Sequence, residues 1–255
     1  LRFLKKLFLS NWSTEFRCVR PAITIQNDHL KAVWNDEKEN TFGIERLFKL
    51  FLVLSSYVFP GLYLRHISGK FGLLPRKICS EVYVIFKLIT PIIIFRYNLE
   101  DSIFAIILIS YLLLETLLYL LGVIFLSDIY SPPISKKRSY LMLVINYIEV
   151  CLGFAVLYKA TGGVSELVSN FDAVYFSFIT ATTIGYGHMA PIGHDAKALA
   201  IIHSMYNFIF IGLVLSNFAF NITYKDGTYR VKENKNKSET VDQKKRINIA
   251  LKYEG

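Results

Sequence analysis

Residues 102–126 form one apolar run in which Glu115 is the sole Asp, Glu, Lys or Arg. A helix needs about 20 mainly apolar residues to cross a bilayer core of roughly 30 Å, and this run has that length. Two more follow it. Residues 140–158 carry Glu149, and residues 198–222 contain no Asp, Glu, Lys or Arg. Residues 46–64 make a weaker fourth run, interrupted by Lys49 and by Pro60-Gly61, and 81–97 a shorter fifth with Lys87 and Pro91. The chain is 53% hydrophobic and only 19% charged, with a mean hydropathy of +0.38. A soluble domain of this size could bury a good core without that excess, and here the excess gathers in runs, so a membrane protein is expected.

The net charge of +9 is unevenly spread. Basic residues sit between the apolar runs and in the last thirty or so positions, as loops on the cytoplasmic face do. Nucleic-acid binding is the competing explanation of a basic chain, and the membrane runs argue against it. Lys136-Lys137-Arg138 precede the 140–158 run and a lysine-rich tail follows the last one, which puts both inside. The 140–158 helix then runs outward and the last helix returns. Going backward, 102–126 runs inward and 81–97 starts inside at Arg76-Lys77. Five complete crossings place the long N-terminal region outside. Four, with 46–64 lying in or on the inner leaflet, keep it inside.

Cys18, Cys79 and Cys151 are far apart and have no C-x-x-C spacing, so they form neither a zinc motif nor a disulfide framework. Leu1 stands where a nascent chain has Met, which reads as a processed or trimmed product. Residues 1–9, interrupted by Lys5 and Lys6, are too short for a signal peptide and suit an amphipathic surface segment.

Thr182-Thr183-Ile184-Gly185-Tyr186-Gly187 gives the chain its chemistry. An aromatic-rich segment leads into it and an apolar run of helix length follows. A backbone that strips water from a small cation must aim carbonyls at one axis, and glycines permit such conformations. Residues 172–181 suit a short helix with Ser169 or Asn170 as N-cap. Its C-terminal end would present about half a negative charge to a cation. A buried amphipathic helix followed by a chance glycine-rich turn is the plain alternative.

The hexapeptide matches the filter signature of potassium channels, with Ile184 in place of the usual valine. Residues 139–224 resemble that family's pore domain. The resemblance implies an all-α membrane protein: outer helix, pore helix, filter and inner helix, preceded by two or three further membrane helices. Thr183, Ile184, Gly185 and Tyr186 would supply the oxygens that replace water around K⁺. Thr182 would mark the preceding turn, Gly187 would let the strand leave the axis, and Tyr175 and Phe176 with Tyr186 would pack as a cuff. One filter motif per chain implies a homotetramer in contact with membrane lipids. K⁺ is the permeant ion, and neither a cofactor nor nucleic acid is implied.

The family pattern is broken at His188, where an Asp usually follows the last filter glycine, and at Ile179, where some relatives keep an acid. The acidic bracing pair is therefore absent. His188 is also a candidate external proton sensor, since an imidazole changes charge within the physiological range. The plain alternative is a hydrogen-bonded structural histidine. His203 and Asn207, one turn apart, are candidates for the cavity or for a polar contact between helices. Gly212 is a candidate hinge or a packing glycine. Glu115 and Glu149 should face protein, because a charge at the bilayer centre is costly, and Lys87 is a candidate partner for Glu115.

The expected organisation is an N-terminal region 1–43, additional membrane helices 44–128, an interfacial linker 129–138 holding Pro132-Pro133, a pore domain 139–224 and a basic cytoplasmic tail 225–255. The helix in the voltage-sensor position, 102–126, has no Arg or Lys, which disfavours voltage sensing. The reading is a multi-pass potassium channel of a cell membrane with its C-terminus inside, and not an enzyme. A weakly selective cation channel and a non-conducting regulatory or assembly subunit are the alternatives. A membrane enzyme would need a motif such as H-E-x-x-H or G-x-S-x-G, and neither occurs.

Overall fold

A computed structural model describes residues 20–35, 43–127, 129, 130 and 136–221. Every element among them longer than an isolated bridge is a helix. In chain order these are α1 (Ala22–Asn35), α2 (Ile44–Ser55), α3 (Pro60–Gly69), α4 (Leu73–Arg96), α5 (Ile103–Phe125), α6 (Lys136–Thr161), α7 (Asn170–Ala181) and α8 (His194–Asn221). Among the described residues four helical spans are long and apolar enough to cross a membrane: Leu73–Arg96, Ile103–Phe125, Arg138–Thr161 and His194–Val214. This is an all-α membrane protein. The segments 1–19 and 222–255 and the linker prolines lie outside the described residues. The chain divides into two compact units, residues 1–211 and 212–255, and the described part of the second is helical.

The helices outrun the apolar runs that announce them. α4 begins at Leu73, before its basic pair Arg76-Lys77, because flanking cations continue a helix into the interface at little cost. Pro91 sits inside α4 and has no N–H for the carbonyl of Lys87.

The fourth run, 46–64, is broken. α2 and α3 meet at a 61° bend, where Pro60 opens α3 in the first-turn position that tolerates proline. Near the start of α2, Phe48 meets Phe125 at the end of α5, ring to ring at 5.0 Å. At the end of α3, Gly69 lies against Arg76 near the start of α4. Both ends of the pair are thus at one end of the bundle, where α4 begins and α5 finishes. By length and composition the crossings number four, or five if this bent pair is one span.

α1 covers this end. Val33, Leu52, Val53 and Leu126 form a buried cluster, with Ile129 and Tyr130 packed on it. The first residues of the α5–α6 connection are therefore held under α1 and α2. Arg138 at the foot of α6 pairs with Glu81 at 2.7 Å and donates to the Lys77 carbonyl, tying α6 to α4.

α6 is the centre of the bundle. Val150, Cys151, Phe154, Ala155, Val156 and Tyr158 are all but completely buried. Gly153 lets α5 approach closely, since a Cβ there would lie 2.9 Å from Leu113 Cδ2. The candidate pair Lys87 and Glu115 is present, Nζ to Oε2 at 3.9 Å, and it extends to Thr116 and Glu149.

Candidate functional site

The hexapeptide is set by the helix before it. Ser169 and Asp172 form a reciprocal capping box at the start of α7: Asp172 N donates to Ser169 Oγ at 3.1 Å, and Ser169 N donates to Asp172 Oδ2 at 2.7 Å. Hydrogen bonds from Ser169, its backbone N–H foremost, hold the Asp172 carboxyl below the ordinary carboxylate range. A depressed value stabilises the cap at neutral pH, and that contribution is lost as pH falls through it. The protection of the Ser169 amide, its exchange rate taken relative to the intrinsic rate at the same pH, should therefore fall in acid, and in Asp172→Asn it should be low at every pH. Hydrogen exchange at that amide, equally slow in both proteins, would contradict the cap. Ser169→Ala should cost about 1 kcal/mol.

Three contacts hold α7 in place. Ser177 Oγ donates to the Cys151 carbonyl at 2.6 Å in the buried core. Phe176, also buried, meets Tyr158 edge-on at 4.8 Å. Asn170 Nδ2 reaches the Phe95 carbonyl at the end of α4.

The chain then turns back on the last carbonyls of α7. Thr182 N donates to Phe178 O at 2.9 Å, and Ile184 N and Gly185 N both donate to Ile179 O. Positive φ falls on alternate residues, Thr183 at 59°, Gly185 at 54° and Gly187 at 87°. Glycine reaches that region freely, whereas a β-branched residue there is strained by about 1–3 kcal/mol. Sequence reasoning assigned positive φ to the glycines and missed Thr183. Thr182 to His188 are all exposed on the protomer.

Tyr175 stacks parallel to Tyr186 with centroids 6.4 Å apart, and also meets the His188 ring at 5.4 Å. An aromatic contact thus stands beside His188, where the acidic pair is lacking. The segment after the hexapeptide is fastened by the loop after α6. Ser165 N donates to Ala190 O at 2.9 Å, Ala190 N to Ser165 Oγ at 2.8 Å, and Ile192 N to Gly163 O at 2.8 Å. Gly163 admits α8 closely, as a Cβ there would lie 3.1 Å from the Ala196 Cβ. No sequence signal marks Ser165.

His203 and Asn207 are not on an open face. His203 is fully buried, stacked on Phe154 at 4.1 Å with Nδ1 3.4 Å from the Tyr158 hydroxyl, and Asn207 is 3% exposed. The physical reason is helical phase: Ile201, Met205 and Phe208 take the exposed face of α8. In the protomer both polar residues therefore lie on the packed side of α8 rather than lining an open cavity. Gly212 is exposed.

Two long apolar helices flanking a short capped helix and a glycine-containing turn define a multi-pass membrane protein with a re-entrant pore loop. Residues 143–223 match the family described as ion channel. The chain is 30% identical over 86 residues to Two-pore potassium channel 5 of Arabidopsis thaliana, covering 33% of this chain and 21% of that protein. It is 41% identical over 76 residues to the Hyperpolarization-activated voltage-gated potassium channel of Methanocaldococcus jannaschii, covering 29% of this chain and 34% of that one. These matches span only about a fifth and a third of the relatives' own lengths. No solved structure gives a significant match. Residues 143–223 thus resemble an ion-channel segment, and both relatives that match the chain are potassium channels.

Proposed function

We propose that this protein conducts K⁺ passively and selectively through a pore built from four copies of residues 139–224. The observation that carries the reading is the Thr182–Gly187 motif seated on the C-terminal end of a capped helix, with left-handed backbone on alternate residues. Thr183, Ile184, Gly185 and Tyr186 supply the oxygens that replace the hydration shell, and rings of carbonyls in series let ions repel each other onward. The hexapeptide is exposed on the protomer, where a surface formed with other copies would lie. The pore needs no cofactor, has no voltage sensor in 102–126, and sits in a cell membrane with its C-terminus inside.

Reversal potential under a K⁺/Na⁺ gradient, measured on the purified chain in bilayers, tests this. A value near the K⁺ equilibrium potential is expected. Current that reverses near zero would mean an unselective cation pore, and no current under any gradient would favour a regulatory subunit.

His188 stands beside Tyr175 just past the filter. An imidazolium there would repel incoming cations, so inward current should fall when the outer solution is acidified. His188→Gln should remove that response. Equal acid sensitivity in both proteins would exclude His188 as the sensor.

A further inference from the structure

Near the midpoints of α4, α5 and α6, five side chains join in one buried cluster. Lys87 Nζ donates to Thr116 Oγ1, and Thr116 donates to Glu149 Oε2 at 3.0 Å. Glu115 Oε2 lies 3.9 Å from Lys87 Nζ and accepts from the Tyr83 hydroxyl. Lys87, Thr116, Glu149 and Glu115 are 5%, 1%, 2% and 8% exposed. α3 closes the cluster, with Gly61 so near that a Cβ there would lie 3.0 Å from Glu115 Oε1.

The charges do not balance. One ammonium faces two carboxyl groups. The other titratable groups that interact with Glu149 are Tyr83 of α4, Cys151 of α6 itself and Tyr206 of α8, and Tyr147 of α6 engages Cys151. His203 of α8 is turned to Phe154 and Tyr158, further along α6. α7 has one charged residue, Asp172, and it is engaged in the capping box at the helix start. None of these is a second cation beside the pair. With both carboxyls ionised, the cluster would carry an uncompensated negative charge in the middle of the spans, which membrane interiors resist.

We propose that the cluster is a proton-binding site, with one proton held on Glu149, and that its release loosens α6 from α4 and α5. Glu115 is served by both the Lys87 ammonium and the Tyr83 hydroxyl. Glu149 receives only the Thr116 hydroxyl within the cluster, so its carboxyl is the one that stays protonated. On release the O–H bond of Glu149 breaks, the proton leaves to water, and two carboxylates then share one ammonium across the α5–α6 contact. The consequence for current rests on reading α6 as the outer helix of a pore; the proton site itself does not.

Infrared difference spectroscopy of the full chain in liposomes tests the site. Wild type at neutral pH should show one protonated-carboxyl stretch that is missing from both Glu149→Gln and Glu115→Gln. Each substitution leaves one carboxylate with one ammonium, so neither cluster needs the proton. Lys87→Met should show two such groups. Identical spectra for wild type and both glutamine variants would overturn the proposal.

Flux is then compared between about pH 5 and about pH 9, the range over which buried carboxyls are known to titrate. The comparison uses a His188→Gln background, so that the outer imidazole does not contribute. Flux should change by about fivefold or more with Glu149 present and stay constant in Glu149→Gln. Constant flux in both would overturn the coupling to α6. No flux in any protein, with the spectra as expected, would count against the pore and leave the proton site standing.

Discussion

Gly185→Ala should abolish potassium flux while the chain still inserts and assembles. Gly185 has φ 54°, and an added Cβ there would meet no atom within 4 Å in the protomer. The effect therefore comes through the backbone, not through a clash. An L-residue held left-handed is strained by about 1–2 kcal/mol, and in the proposed pore of four copies each copy would carry that strain. Relief of that strain rotates the Gly185 peptide and takes a ring of carbonyls off the axis. Liposome flux, read beside the elution profile of the same preparation, checks the result. Normal flux in this variant would remove Gly185 from the filter. Gly187→Ala, at φ 87°, should act in the same direction.

The second large effect is expected at Lys87. Lys87→Met deletes the one ammonium of the buried cluster and leaves Glu115 and Glu149 facing each other across α5 and α6. Removing one partner of a buried pair typically costs about 3–5 kcal/mol, here because both carboxyls must then stay buried without a cation and each hold a proton. The thermal midpoint of the detergent-purified protein should drop steeply. Adding Glu115→Gln and Glu149→Gln to Lys87→Met should restore most of it, since amides stay neutral without having to take up protons. A single Lys87→Met variant as stable as wild type would show that the ion pair does not hold these helices together.

How much of this was readable in advance depends on the range of the interactions involved. The secure apolar runs became helices because length and hydropathy are local properties, and a bilayer-scale apolar segment satisfies its own backbone only as a helix. The α7 helix was legible for the same reason, its cap narrowed to Ser169 or Asn170, and the structure places the cap and its capping box at Ser169. The 46–64 segment was not. Its composition suits a crossing or a surface helix equally, and only the contacts of Phe48 with Phe125 and Gly69 with Arg76 show both ends at one end of the bundle.

The candidate site divides in the same way. Thr182 to Gly187 could be singled out because their order is itself the signal, whereas the phase of α8 cannot be read from an apolar run with polar residues on one turn. His203 and Asn207 could be read as cavity residues or as a polar contact between helices, and in the protomer they lie on the packed side of α8. The Ser165–Ala190 clamp joins residues far apart in sequence through backbone groups, which leave no mark on composition.

By itself the sequence determined that the chain is helical and membrane-spanning, that its pore loop lies between the last two spans, and which six residues form the hexapeptide. These follow from periodicity, length and local chemistry. Only the tertiary structure decided that α2 and α3 turn back, that Tyr175 stands beside His188, and that Lys87, Glu115, Thr116 and Glu149 share one buried cluster. Those outcomes depend on which helix faces meet, and burial of polar groups far from water allows few arrangements in which each finds a partner.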